Sequence, residues 1–227
     1  MAIINQTHNF IFVHVPKAAG TSITKLLSEF THYCDLEIGG TSFGEEIQKP
    51  YFRRFGLKKH SPAGDIRKLV GSQKWSEFYK FSVVRNPYDR AVSIYNFLRS
   101  WEGCPSGMRQ EMLSFSSFEE FVLSGMWNQV DGPDQIFKPQ AFWLTDPDDR
   151  NKIIIDDVYR LETLQEMLAD LGEKANLDLS GKVLPQLNES RKDADRKDIG
   201  SKVILEINRK YHRDFLLFGY EKLKPET

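Results

Sequence analysis

Residues 10–22 read FIFVHVPKAAGTS, and the fold follows from the change of character at Pro16. Phe10 to Val15 is a short run of aromatic and β-branched residues, the composition of a buried strand, and Pro16 ends it because proline has no N–H for a ladder. Pro16-Lys17-Ala18-Ala19-Gly20 is a loop of mostly small residues. Beyond it Ile23, Leu26, Leu27 and Phe30 recur at helical spacing, with Thr21 or Ser22 expected to cap the helix. The same order of strand, loop and helix returns at Lys80. FSVVR reads as a strand, Asn86 as an N-cap and Pro87 as the first helical residue, with Ala91, Ile94, Tyr95 and Leu98 on one apolar face.

The remaining segments fit around these two units. An irregular stretch at Gly39-Gly40 leads to a basic segment and then to a short helix predicted over 62–69, capped by Ser61. FSSFEEFVLSGM predicts another helix, and residues 128–139 a loop beside a ligand. KIIIDDVYRLE reads as a strand running into a turn, Thr163 to Leu171 as a helix, residues 172–197 as an extended polar segment, and residues 198–211 as a final helix. Strands alternating with helices predict an α/β domain with a mainly parallel central sheet, whose ligand loops lie at the carboxyl ends of the strands.

Composition narrows the field of functions. The 227 residues suit a single domain spanning 1–227 with a core that needs no staple, and a net charge of −1 gives no global attraction to nucleic acid. Cys34 and Cys104 are too few for a disulfide framework and lack zinc-ligand spacing, so a reducing, cytoplasmic setting is expected and no metal site is read. The apolar run at residues 10–15 is far shorter than the ~20 residues of a membrane span. No signal segment or anchor is read from the chain. The triplets at Asn5 and Asn188 that match the glycosylation pattern are therefore treated as chance matches.

The chemistry-bearing residues lie in the two strand-to-helix junctions. At the first, small residues let backbone amides approach a phosphate at a helix N-terminus, and Lys17 adds a full positive charge. The bland reading is an ordinary turn with Lys17 solvated. Nucleotide-kinase loops place Gly before an adjacent Lys and Ser/Thr, whereas here Lys17 precedes Gly20. At the second, Ser93 follows Arg85 by eight positions, about two helical turns inward, where a guanidinium and a hydroxyl can grip one phosphate. A salt bridge for Arg85 and helix packing for Ser93 are the plain alternatives.

Taken together, FVHVPKAAGTSI and FSVVRNPYDRAVSIYN closely resemble the 5′-phosphosulfate and 3′-phosphate motifs of sulfotransferases that use 3′-phosphoadenosine-5′-phosphosulfate (PAPS), especially their carbohydrate-directed, family 2-like branch. KKHSPAGDIRKLVG, YRLETL, LPQLNES and YHRDFLLFGY extend the likeness from Phe10 to Tyr220. The resemblance implies a P-loop-type three-layer sandwich, PAPS as co-substrate, adenosine 3′,5′-bisphosphate as product, and a hydroxyl-bearing carbohydrate or glycoconjugate as acceptor. It implies that Lys17, Ala18, Ala19, Gly20, Thr21 and Ser22 hold the 5′ end of the donor, and that Arg85 and Ser93 hold its 3′-phosphate. Many relatives carry Thr where this chain has Ala18, so backbone groups must serve there.

The resemblance also selects His60 as the base. By itself His60, after Lys58-Lys59 and before a predicted helix, reads as a solvated loop histidine or as an imidazole facing substrate at its ordinary pKa near ~6.5. His14, within the first strand, reads as a core group; His8, His32 and His212 have no chemical context. Lys49, Arg53, Arg54, Lys58 and Lys59 form a basic run that meets an anion or is simply solvated. Phe115, Phe118, Phe121 and Val122 read as core, Trp101 and Trp127 as core or as stacking platforms for a sugar. Glu162 caps a helix or orients a donor-site residue. Two rival functions stay open: a kinase-like phosphotransferase with Asp156 or Asp157 holding Mg²⁺ after Ile153-Ile154-Ile155, and a non-catalytic nucleotide-binding protein.

Overall fold

A computed structural model describes residues 2–184 and 193–226. In chain order its elements are β1 (Ala2–Asn5), β2 (Phe10–Val13), α1 (Gly20–Leu27), β3 (Leu36–Ile38), α2 (Ser42–Phe55), α3 (Ala63–Glu77), β4 (Tyr79–Val84) and α4 (Pro87–Ser100). There follow α5 (Ser106–Ser114), α6 (Phe118–Leu123), α7 (Met126–Gln129), α8 (Ala141–Leu144), β5 (Asp157–Arg160), α9 (Leu164–Ala175), α10 (Ser201–Lys210) and α11 (His212–Phe218). They fall into two compact units: the described residues of Met1–Val84 with Ala141–Leu187, and those of Arg85–Gln140 with Asn188–Thr227.

The first unit holds one sheet of order β3-β1-β2-β4-β5. β2, β4 and β5 are parallel neighbours, whereas β1 runs antiparallel to both β2 and β3. The expectation of a mainly parallel sheet is thereby corrected to a mixed one, since two of the four pairings are antiparallel. The cause lies in chain length: only residues 6–9 join β1 to β2, and a parallel crossover takes about a dozen residues. Phe10 and Phe12 on β2, Phe81 and Val83 on β4 and Tyr159 on β5 pack against Ile23, Leu26 and Leu27 of α1 and against Leu164, Leu168 and Leu171 of α9. The alternate residues Ile11 and Val13 are equally buried, so β2 is covered on both faces. Each such side chain contributes about 1.5–3 kcal/mol on burial.

The second unit is helical. Tyr88, Ala91, Ile94, Tyr95 and Leu98 of α4 form the core with Phe118, Phe121 and Val122 of α6 and with Val203 and Ile207 of α10. Asn86 caps α4 as its sequence demands, accepting from the Tyr88 N–H at 3.0 Å, with Pro87 as the first helical residue. Ser117 caps α6 in the same way.

Several local expectations are corrected. α1 begins at Gly20 after a left-handed Ala19, so Thr21 and Ser22 lie inside its first turn and no side chain caps it. Ser61 does not cap α3; its hydroxyl accepts from the Lys58 N–H at 2.8 Å, and Pro62 holds the N-cap position. α3 runs on to Glu77 through a kink at Gly71. Residues 42–55, read as an irregular stretch running into a basic segment, form α2; Pro50 within it and the burial of Gly44 alone erase the helical signature. Residues 153–155 are not part of a strand: Ile153 makes one bridge to Thr145, and β5 starts at Asp157. The final helix predicted over 198–211 is α10, which starts at Ser201, and a further helix that the pattern did not indicate, α11, follows Tyr211. Most of LPQLNES, with the Asn188 triplet, lies outside the described residues.

Candidate active site

The loop after β2 is built from strained backbone. Lys17 and Ala19 adopt φ of 65° and 56°, the left-handed region, which costs a residue with a Cβ roughly 1–2 kcal/mol. These two turns reverse the chain around the buried Ala18, whose N–H reaches back to the Val15 carbonyl at 3.4 Å. The Ala19 carbonyl then takes the N–H groups of Ser22 and Ile23, which starts α1 without a capping side chain. No acidic residue sits in the first turn of α1, so its positive end faces no carboxylate from its own helix. Thr21 is exposed, Lys17 half-buried and Ser22 buried. A strained loop carrying Lys17 into an uncapped helix N-terminus suits an anionic group.

Gly20 has a tertiary role that the sequence reading lacks. A Cβ at this position would lie 1.6 Å from His14 Nε2, so the imidazole edge occupies the space of the missing side chain. The same His14 ring meets His60, with centroids 4.3 Å apart and planes at 46°. His60 Nδ1 lies 3.3 Å from the His14 carbonyl oxygen, and the His60 carbonyl accepts from Trp143 Nε1 at 3.1 Å. Since a carbonyl only accepts, this contact requires the proton on Nδ1 and leaves the lone pair on Nε2.

His60 is thus not the loop-edge group at an ordinary pKa that its sequence setting suggests. It is only 8% exposed. Burial, then the neighbouring His14, with Lys59 and Lys58 adding repulsion, holds its pKa well below the usual imidazole value, against the opposing pull of the His14 carbonyl. His14 is lowered too, to about 3, by burial and by the charges of Lys59 and Lys17. Both rings are neutral at pH 7. Lys59 is held beside them by Glu45 of α2 at 2.9 Å. Lys49, Arg53 and Arg54 are exposed along α2.

In the second unit Arg85 and Ser93 are half-buried at the entry and on the body of α4. Ser93 lies six positions after Pro87, about 9 Å along the helix. The backbone of Arg85 is gripped by the side chain of Gln140: Oε1 accepts from the Arg85 N–H at 2.9 Å and Nε2 donates to its carbonyl at 2.8 Å. Gln140 is fully buried and its own N–H donates to Asp214 at 2.8 Å. Neither Gln140 nor Asp214 carries a sequence signal, because an amide clamp reached from 55 residues away has no local spacing.

The rival acidic pair is committed elsewhere. Asp156 forms an ion pair with Lys80 at 2.9 Å, and Asp157 one with Lys174 at 3.0 Å. The Asp156 N–H donates to the Lys80 carbonyl, which puts Asp156 level with Lys80, four residues or about 13 Å from the carboxyl end of β4 at Val84. Of the two readings of Trp127 the structure bears out core: it is 1% exposed and meets Phe121 and Tyr211 edge-on. Trp101 stacks on Phe97 with centroids 5.1 Å apart. Glu162 stands exposed in a 3-10 turn before α9.

No group of three or more His, Cys, Asp or Glu side chains that could hold a metal ion occurs among the described residues. No helix among them is long and apolar enough to cross a membrane. No curated protein and no solved structure matches the chain. A family model, that of the sulfotransferase family, matches residues 1–221. With nearly the whole length matched and a lysine-bearing loop leading into an uncapped helix, the chain belongs to the sulfotransferase family.

Proposed function

We propose that this sulfotransferase moves a sulfuryl group from PAPS to a hydroxyl of a carbohydrate acceptor, with His60 as the base. The observation that carries the reading is the cluster within one unit: the His14 ring is in contact both with Gly20 at the start of α1 and with a neutral His60, and the charge of Lys17 acts on it. Lys17 and the amides of residues 18–22 bind the 5′ end of the donor, and Arg85 and Ser93 its 3′-phosphate. The acceptor oxygen attacks sulfur while its proton passes to His60 Nε2. The bond from sulfur to the 5′-phosphate oxygen breaks, and its electron pair leaves with adenosine 3′,5′-bisphosphate, where Lys17 stabilises the added charge. The carbohydrate acceptor rests on the motif resemblance.

The lysine pairing of Asp156 and Asp157 disfavours a kinase-like reading, which needs acids poised for Mg²⁺ beside the phosphate loop. Calorimetry tests the donor site. Adenosine 3′,5′-bisphosphate should bind at least about tenfold more tightly than AMP, the value of one charge-assisted phosphate contact, and Arg85→Ala should abolish the preference. Equal affinities, or a preference for ATP, would overturn the reading. Labelled PAPS with a panel of glycans, lipids and small alcohols then identifies the acceptor; transfer to phenols alone would remove the carbohydrate assignment.

A further inference from the structure

We propose that His14 is a positioning residue for catalysis: its ring is the wedge between Gly20 and His60 that orients the His60 imidazole towards the donor loop. This rests on His60 acting as the base. The wedge is fixed on every side that the geometry records. The Nε2 edge fills the space beside Gly20, where a Cβ would sit at 1.6 Å. Phe12 stacks against the ring at 6.0 Å with planes 21° apart, and His60 meets it at 4.3 Å. Through its own carbonyl the same residue anchors His60 Nδ1 at 3.3 Å, so one residue sets both the tilt and the tautomer of the base.

A plain core residue would serve the packing, but an imidazole does more. At 5% exposure and neutral, it packs against the His60 ring in place of water, which raises the cost of charging His60 by desolvation. Its presence therefore opposes protonation of the base in the resting enzyme. The charged groups that act with it are Lys58 and Lys59 on the His60 segment and Lys17 on the donor loop, with Glu45 pairing Lys59. From α8 the contact to His60 is the uncharged Trp143 indole.

The test reads pH profiles of kcat and kcat/KM for the wild type, His60→Ala, His14→Ala and His14→Gln with PAPS and an acceptor found by the panel above. His60→Ala should lose about 10²–10⁴-fold in kcat, as removal of a general base does. His14→Ala should lose about 10–100-fold in kcat through misplacement of the base, and move the acidic limb upwards by about one pH unit as water reaches His60. His14→Gln, which keeps a nitrogen near the Nε2 position, should recover part of kcat. A merely structural His14 would lower the melting temperature and leave the limb in place. If His60→Ala collapses while His14→Ala keeps both kcat and the limb, the positioning role is refuted and the base assignment survives. If His60→Ala keeps its rate, the base assignment itself fails. Should His14→Ala not fold, ¹⁵N NMR of wild-type histidines decides: His60 must show the proton on Nδ1 and ring-to-ring contacts with His14. A proton on Nε2 would overturn the inference.

Discussion

Substituting Gly20 by Ala tests the packing that joins the donor loop to the histidine cluster. The new Cβ would sit 1.6 Å from Nε2 and 2.0 Å from Cδ2 of His14, where ordinary contacts begin at 3.4 Å, so the ring must retreat by nearly 2 Å. It has little room, with His60 at 4.3 Å and Phe12 at 6.0 Å. Overpacking of this kind costs about 1–3 kcal/mol. Replacing a helical Gly by Ala returns at most about 1 kcal/mol, and less at the first helical position. The expected net loss is about 1–2 kcal/mol, or roughly 2–4 °C of melting temperature per kcal/mol for a chain of this size. Chemical denaturation of the wild type, Gly20→Ala, His14→Ala and the double variant measures it. Removing the imidazole makes room for the methyl, so the double variant should be more stable than the sum of the single losses by at least about 1 kcal/mol. Additive losses, or a Gly20→Ala protein as stable as the wild type, would refute the close approach.

Three further outcomes follow from the site. Because burial lowers the folded pKa of His14 to about 3 and that of His60 well below its usual value, the unfolded chain takes up protons first as pH drops through the ordinary histidine range. Stability, complete above about pH 6.5, should fall between pH 6.5 and 5 by about 1.4 kcal/mol per pH unit for each histidine, and a flat profile in urea melts would contradict their burial. Gln140→Ala should leave two peptide groups of Arg85 without their amide partner, costing about 1–3 kcal/mol in stability; adenosine 3′,5′-bisphosphate should bind more weakly and AMP unchanged, and calorimetry showing both unchanged would separate the clamp from the 3′-phosphate site. Turnover should survive EDTA, because Lys17 and the helix N-terminus supply the charge stabilisation and Asp156 and Asp157 are ion-paired; loss with EDTA and recovery with Mg²⁺ would return those acids to the mechanism.

The two strand-to-helix junctions were legible from residues 10–22 and 80–98 because their signals are local. A β-branched run ended by proline, an Asn-Pro helix start and an apolar face at helical spacing each act within a few residues. β2, β4, α1 and α4 stand where those patterns put them, apart from the start of α1, where left-handed Ala19 replaced the expected hydroxyl cap. α2 escaped because Pro50 breaks the pattern and the helix buries almost nothing of its own. Linear sequence also supplied the candidate donor residues from Lys17 to Ser22, with Arg85 and Ser93, since phosphate recognition by a loop and helix start is a short-range device. It could not supply the environment of His60. His60 lies 46 positions after His14, and only the folded packing brings the rings to 4.3 Å, excludes water from both and depresses their pKa values. Gly20 shows the same division. Its sequence context explains a small residue beside a phosphate, whereas the tertiary structure adds His14, whose ring occupies the volume that any side chain would need.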